Sequence, residues 1–148
     1  MIINETSQNQ IVWVSVDRSL TANYSCSALN DAGWSDESNT VELDIKYLPS
    51  PAGIQQINGN HPLKGDQLIL ECIVHQLGWP PASEYIWEQD GFRLEDERSS
   101  ILNITTISLA TKGNYSCAAV SQVGMGPKGR SETVIIITIR IWLSRSHN

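Results

Sequence analysis

Basic side chains are scarce in this chain. Its 148 residues include 10 Lys and Arg against 16 Asp and Glu, which gives a net charge of −6. Proteins that bind nucleic acid present basic clusters to the phosphates, so nucleic acid is not expected as a partner. Long apolar runs are scarce too, since the longest spans residues 134–143 and contains Arg140. A membrane-spanning helix needs about 20 mostly apolar residues, so we expect no direct membrane insertion by this segment.

Sequence signals for secretion and for catalysis are also missing. The first ten residues, MIINETSQNQ, contain neither the basic n-region nor the apolar h-region of a secretory leader. No Gly-x-Ser-x-Gly, phosphate-binding loop or Cys-x-x-Cys occurs, and the acidic residues 95–97 with Asp90 lack the alternating oxygen ligands of a calcium loop. The histidines are scattered without a second ligand at metal spacing: His61, His75 and His147. We therefore expect no enzyme, no cofactor and no metal site.

Short stretches of alternating hydrophobicity are present, and they indicate β-strands. In residues 68–74 the apolar set Leu68, Leu70, Cys72 and Val74 alternates with Ile69, Glu71 and Ile73. Similar short runs surround Trp87, Leu102 and Tyr115, and turn signals such as Asp90-Gly91 separate them. No segment shows a sustained helical period. The pattern therefore predicts an all-β sandwich or barrel.

The sequence repeats itself at an offset of 91 residues. Asn-Tyr-Ser-Cys occurs at residues 23–26 and again at residues 114–117. Upstream of these tetrapeptides, three apolar positions match three others: Ile11, Trp13 and Val16 with Leu102, Ile104 and Ile107. The chain is long enough for one complete unit of about this length. The complete unit is preceded by the C-terminal part of another copy.

The repeat also bears on the three cysteines. Cys117 needs a partner within its own unit, and Cys72 fills that place, whereas the partner of Cys26 would lie before Met1. Cys26 is therefore expected to be unpaired. A Cys72–Cys117 bridge would close a loop of 46 residues and stabilise the fold by about 4 kcal/mol, and the alternative is a pair of reduced core cysteines.

The second unit resembles a domain of the immunoglobulin superfamily. The resemblance is carried by Cys72, then Trp87, and then Tyr115 two residues before Cys117. The resemblance covers residues 10 to 142, and Tyr24 occupies the position of Tyr115 in the first unit. It implies an all-β, immunoglobulin-like β-sandwich preceded by a truncated immunoglobulin domain. Only 14 residues separate Trp87 from Leu102, which leaves no room for the two extra strands of a variable-type domain, so the sandwich resembles the C2 or I set.

The resemblance also implies domain boundaries. Residues 1–46 would be the C-terminal part, strands E, F and G, of a truncated domain, which we expect to be loosely ordered in isolation. Residues 47–52 would be a proline linker, 53–142 a complete domain and 143–148 a tail. The linker, Tyr47-Leu48-Pro49-Ser50-Pro51, is similar to those of tandem cell-surface domains of the nephrin, kin-of-irre, hemicentin and sialoadhesin types.

These features imply a fragment of a cell-surface adhesion or recognition protein. It would bind a protein ligand or a homophilic partner through tandem domains, beside neighbouring immunoglobulin domains, on the extracellular face of the plasma membrane as part of a longer parent. Two alternatives stay open, an intracellular I-set scaffold of the muscle type and a secreted or extracellular-matrix array. An occupied glycosylation site or an oxidised Cys72–Cys117 pair would argue against the scaffold.

Two further sets of residues are candidates for function. Four Asn-x-Ser/Thr sequons predict N-glycosylation at exposed asparagines: Asn4, Asn23, Asn103 and Asn114. Leu20, Trp79 and Met125 lie in turns or loops expected to face a neighbouring domain, so we expect them to help form an interdomain contact; the alternative for Trp79 is a lone exposed or intradomain aromatic. Trp34 follows Gly33 in a loop, where it could anchor a partner or be covered by a preceding domain.

Overall fold

The computed structural model of the chain describes residues 4–7 (backbone only), 9–59 and 62–135. The chain divides into two compact units, Met1–Tyr47 and Leu48–Asn148. The last eight positions of the apolar run at 134–143 fall outside the described residues, as do His61 and His147.

The described residues of the first unit form six short strands and one 3-10 turn. Strand β1 (Asn4–Ser7) pairs antiparallel with β2 (Gln10–Val12), and the turn Arg18–Leu20 leads into β3 (Ala22–Tyr24). Strands β4 (Leu29–Asn30) and β5 (Gly33–Trp34) form a hairpin, while β6 (Val41–Leu43) pairs with β3. Three two-stranded sheets of this size bury little apolar surface, and few side chains here are shielded from solvent.

Within residues 48–59 and 62–135, the second unit has seven strands in two sheets. In chain order they are β7 (Ala52–Gln56), β8 (Leu68–Val74), β9 (Glu84–Gln89), β10 (Phe92–Arg93), β11 (Ile101–Ile104), β12 (Gly113–Val120) and β13 (Glu132–Val134). One sheet has the order β10-β9-β12-β13 and the other β11-β8-β7, all antiparallel. A second 3-10 turn, Leu109–Thr111, precedes β12. The prediction of an all-β sandwich is confirmed.

The core lies between these two sheets. Because successive side chains in a strand point to opposite faces, the alternating apolar positions of β8 and β12 meet those of β9 and β11 in the middle. The largest fully buried side chains of this core are Leu68, Leu70, Trp87, Leu102, Ile107 and Tyr115. A single short strand, β10, lies between β9 and β11, in agreement with the short spacing from Trp87 to Leu102.

The turn between β9 and β10 shows why the sequence folds sharply at this point. Asp90 and Gly91 both have positive φ, 50° and 81°. A two-residue hairpin of type I′ requires positive φ at both positions, and Asp-Gly is among the pairs that tolerate it best. The predicted turn at Asp90-Gly91 is confirmed.

The segment assigned to the linker packs closely against the second unit. Pro49 is buried, Ser50 N–H donates to the carbonyl of Gln76, and Ala52 is the first residue of β7. The Ala52 N–H donates to the carbonyl of Pro127 at 3.3 Å. At this crossing a Cβ on Gly129 would lie 1.4 Å from the carbonyl oxygen of Ala52, so only glycine permits the approach of the two backbones.

Candidate interaction surfaces

The disulfide and tryptophan of the second unit form the centre of its core. Cys72 on β8 and Cys117 on β12 are bonded across the two sheets, with their Cα atoms 6.1 Å apart. Trp87 is fully buried, and its Nε1–H donates to the carbonyl of Ser99 at 2.8 Å. The indole therefore keeps its polar group satisfied inside an apolar core. Cys26 is the free cysteine among the described residues and is exposed.

Each unit contains a tyrosine corner at the same place in the repeat. The Tyr115 hydroxyl donates to the carbonyl of Thr111 at 2.5 Å, and the Tyr24 hydroxyl donates to the carbonyl of Leu20 at 2.8 Å. In both units the acceptor is the last residue of a 3-10 turn four positions upstream. Burial, and then the nearby charge of Asp90, raises the pKa of Tyr115 to about 12.

One end of the second unit exposes a group of apolar side chains, here called the loop end: Leu48, Leu77, Trp79, Val123 and Met125. The loop after β8 and the loop after β12 meet here, because Ser83 N–H donates to the carbonyl of Val120. The segment before β7 joins them through the hydrogen bonds between Ser50 and Gln76. Trp79 and Met125 are each 47% exposed, and the Trp79–Pro80 peptide bond is cis.

The other predicted aromatic and apolar residues lie in the first unit. Leu20 is buried, Trp34 on β5 is 71% exposed, and Trp13 is half-buried. The Trp13 ring meets the Tyr24 ring edge-on with the centroids 5.4 Å apart. The contact predicted for Leu20, Trp79 and Met125 between neighbouring domains stays a prediction.

The described sequon asparagines have exposed side chains. Asn23 lies on β3, Asn103 on β11 and Asn114 on β12. Asn103 and Asn114 each have a buried neighbour, Leu102 and Tyr115. The side-chain oxygen of Asn103 accepts from Gln67 Nε2 at 2.8 Å, and that of Asn114 accepts from Thr133 Oγ1 at 2.7 Å. For Asn4 only the backbone is described, as part of β1.

The acidic residues of the β9–β10 region engage neighbouring backbone and basic groups. Asp90 Oδ1 accepts from the Asn114 N–H at 2.9 Å, and Glu95 lies 3.4 Å from Arg93. Glu88 accepts from Lys128 at 2.6 Å on the outer face of the four-stranded sheet. Over the described ranges, no group of three or more His, Cys, Asp and Glu side chains could hold a metal ion. Nor does this part of the chain contain a helix of the length and hydropathy that crossing a bilayer requires.

No protein-family model matches the chain. Among curated proteins, it is 30% identical to the mouse B-cell receptor CD22 over 122 residues, which cover 82% of this chain and 14% of that protein. It is 34% identical over 96 residues to the mouse neural cell adhesion molecule L1-like protein, covering 60% of this chain and 8% of the relative. A third relative, the rat limbic system-associated membrane protein, is 24% identical, with 82% of this chain and 36% of that protein covered. The chain thus spans only a minor part of each relative's length.

Solved structures share the fold. An amphioxus IgVJ-C2 molecule superposes with a TM-score of 0.54 at 18% identity, covering 90% of this chain and 71% of that one. The full ectodomain of mouse nectin-like molecule 4 gives a TM-score of 0.52 at 23% identity, covering 87% of this chain and 45% of that one. These similarities agree with the disulfide, the buried Trp87 and the tyrosine corner described above. The chain belongs to the immunoglobulin superfamily.

Proposed function

We propose that this chain is part of a cell-surface adhesion or recognition protein that binds protein partners through tandem immunoglobulin domains. One observation carries the proposal: its curated relatives are named as a receptor, a cell adhesion molecule and a membrane protein, and two of the three similarities cover 82% of the chain. The proposed mode of action is binding rather than catalysis, on the extracellular face of the plasma membrane within a longer parent.

The proposed domain organisation follows the repeat. Residues 1–46 act as strands E, F and G of an immunoglobulin domain, 47–52 as the junction and 53–142 as a complete domain, with a tail at 143–148. The paired tyrosine corners support this organisation, because Tyr24 and Tyr115 make the same hydrogen bond four residues upstream in the two units.

The loop end is the surface we propose for protein recognition, which for Trp79 and Met125 is an alternative to the interdomain contact predicted from the sequence. Its five apolar side chains are 40 to 47% exposed and lie on loops at a single end of the sandwich. Half-exposed apolar side chains grouped on loops favour a protein partner, because such a partner can bury them and exclude water. Trp79 and Met125 are the strongest candidates for anchors, since Trp is enriched among residues that dominate binding energy and Met adapts to irregular surfaces.

The rival function, an intracellular scaffold of I-set modules, is less well supported. Disulfides persist in oxidising compartments and are rare in the cytosol, and Cys72 and Cys117 have the geometry of a bond. The compartment can be tested by trapping free thiols in cells that express the parent protein. Oxidation of Cys72 and Cys117 is the expected result, and two reduced thiols would favour the scaffold.

A bead-aggregation assay tests recognition directly. Beads coated with the oxidised chain are expected to bind each other, if recognition is homophilic, or to bind cells that display a heterologous partner. Trp79→Ser combined with Met125→Ser is expected to reduce binding at least tenfold. Phe92→Ser is a matched control, because Phe92 is 78% exposed but lies on β10, away from the loop end. Equal loss in both variants, or beads that bind neither each other nor any cell surface, would contradict the proposal.

A further inference from the structure

We infer that Asn103 is an N-glycan acceptor and that its glycan covers the isoleucine side chains on the outer face of the three-stranded sheet. The inference rests on the proposed cell-surface function, because N-glycans are added in the secretory pathway. It commits to one occupant of that face, an oligosaccharide attached to this chain.

The outer face of the sheet β11-β8-β7 carries four isoleucines, which surround the polar side chains of Glu71 and Gln55. The four, here called the isoleucine face, are Ile57, Ile69, Ile73 and Ile101. The alternate positions of β8 and β11 point into the core, where Leu68, Leu70 and Leu102 are buried. Ile69, Ile73 and Ile101 therefore point away from the core. Ile57 continues this face, because its N–H donates to the carbonyl of Ile69 at 2.9 Å. Ile101 and Ile57 are 42% and 50% exposed.

Asn103 lies on the same face, next to these side chains. Its cross-strand partner is Ile69, and Ile101 precedes it by two residues on β11. Directly opposite residues in a sheet have Cβ atoms about 5 Å apart, so the first sugar on Asn103 would start beside Ile69. A branched oligosaccharide rooted there has the four isoleucine side chains within reach and carries its polar groups outward.

The amide of Asn103 is oriented for this modification. Its side-chain oxygen accepts a hydrogen bond from Gln67 Nε2 at 2.8 Å. A glycan is attached through the amide nitrogen, so the bond to Gln67 can persist after modification. Because the Asn103 oxygen faces Gln67, the Asn103 amide nitrogen points away from Gln67. The Asn103 side chain is exposed to solvent. The modification therefore requires no rearrangement of β8 or β11.

A glycan on Asn103 would also shield the edge of the sheet, because Asn103 lies on the end strand β11. β11 is the end strand in the order β11-β8-β7. End strands present unpaired backbone groups to which another chain can add a strand, and natural proteins block such edges with bulky or charged groups. Asn114, by contrast, lies on β12 in the middle of the other sheet, opposite Thr133. A glycan on Asn114 would therefore leave both the isoleucine face and the β11 edge open.

The first test is occupancy. The full chain is expressed behind a cleavable secretory leader, deglycosylated enzymatically in heavy-oxygen water and mapped by peptide mass spectrometry. Asn103 is expected to be occupied in the unmodified chain and in Thr105→Ser, and unoccupied in Thr105→Ala. An unoccupied Asn103 in the secreted, folded chain would overturn the inference. The added leader makes this result independent of where the parent protein resides and of whether the bead assay detects binding.

The second test is coverage of the isoleucine face. Thr105→Ala is expected to raise the fluorescence of an apolar dye several-fold and to cause concentration-dependent association in sedimentation velocity. Adding Ile69→Thr is expected to reverse both changes. Ser116→Ala, which removes the Asn114 sequon instead, serves as the matched control and is expected to change neither.

The second test can also be made without a substitution, by removing the glycans from the folded chain with an endoglycosidase. This version can be carried out even if the Thr105→Ala variant is poorly secreted. Dye binding is again expected to rise. Unchanged dye binding and association after loss of the Asn103 glycan would overturn the inference. Association of the fully glycosylated chain that Ile69→Thr abolishes would overturn it too, because a second copy would then occupy the face.

Discussion

The Tyr115 hydroxyl donates a 2.5 Å hydrogen bond to the carbonyl oxygen of Thr111, four residues upstream, and this bond closes the 3-10 turn onto the start of β12. Tyr115 is fully buried, so water does not replace the bond if it is lost. The bond fixes the direction in which β12 enters the sheet. It therefore couples a local turn to the position of Cys117 two residues later.

Tyr115→Phe is expected to lower the free energy of unfolding of the second unit by about 1 to 2 kcal/mol. The change removes one hydrogen bond and leaves a carbonyl unsatisfied, while the ring keeps its packing. Urea unfolding of the full chain measures the effect. Tyr85→Phe is the control, because Tyr85 is half-buried against the same core and the structure describes no hydrogen bond from its hydroxyl. An equal loss in both variants would count against a special role for the corner.

The same tyrosine predicts a loss of stability in alkali. Burial raises the pKa of Tyr115 from 10.0 to about 12 in the folded chain, whereas the unfolded chain keeps a value near 10. Above pH 10 the unfolded state therefore loses its proton first and is favoured. The contribution is fully present below pH 10 and is lost as the pH rises toward 12. Unfolding free energies measured from pH 8 to 11.5 should fall less steeply in Tyr115→Phe; identical slopes would contradict the assignment.

Gly129→Ala is expected to destabilise the second unit by about 3 kcal/mol. Its new Cβ would lie 1.4 Å from the carbonyl oxygen of Ala52, so the backbones of β7 and the 126–130 segment must separate. Gly53→Ala is a matched control on the neighbouring strand, because a Cβ there meets nothing within 4 Å. Thermal unfolding of both variants compares them. Similar midpoints for the two variants would contradict the close approach.

Much of the second unit could be predicted from its sequence because its features are local. The alternation in residues 68–74 and the Asp90-Gly91 turn each follow from side-chain period or backbone preference. The repeat also pointed to Tyr24, which makes the second corner. Strand β7 was not recognised, because Ala-Gly-Ile-Gln-Gln has weak strand propensity and is held by pairing with β8. The contact of Gly129 with Ala52 joins residues far apart in sequence, and no local pattern encodes it.

The candidate surfaces were only partly predictable for the same reason. Trp79 and Met125 stand out as apolar residues in loops, and the structure exposes both. Leu20 also lies in a predicted turn, yet it is buried. The exposure of the isoleucine face cannot be predicted from the sequence, because both alternating sets of β8 contain large apolar side chains and only the sheet packing decides which set is covered.

Reduction of the Cys72–Cys117 bond is expected to lower the free energy of unfolding by about 4 kcal/mol, because the bond closes a loop across 45 residues of sequence separation. The measurement compares urea unfolding with and without a phosphine reductant. It is made in Cys26→Ser, since Cys26 is an exposed thiol that could exchange with the bridge. A change below about 1 kcal/mol would mean that the core is held without the bond.

Amide hydrogen exchange is expected to distinguish the two units. Four positions of the first unit are exposed although their matches at the 91-residue offset are buried: Ile11, Val16, Cys26 and Ala28 against Leu102, Ile107, Cys117 and Ala119. Segments with few buried apolar contacts open at low free-energy cost, so residues 9–47 should exchange far faster than β8, β9 and β12. The measurement requires a monomer, established by sedimentation, because association could bury the first unit. The prediction would be wrong if β3 and β6 were protected as strongly as β12 in such a monomer. The first unit would then be stably folded without the buried core that stabilises the second unit.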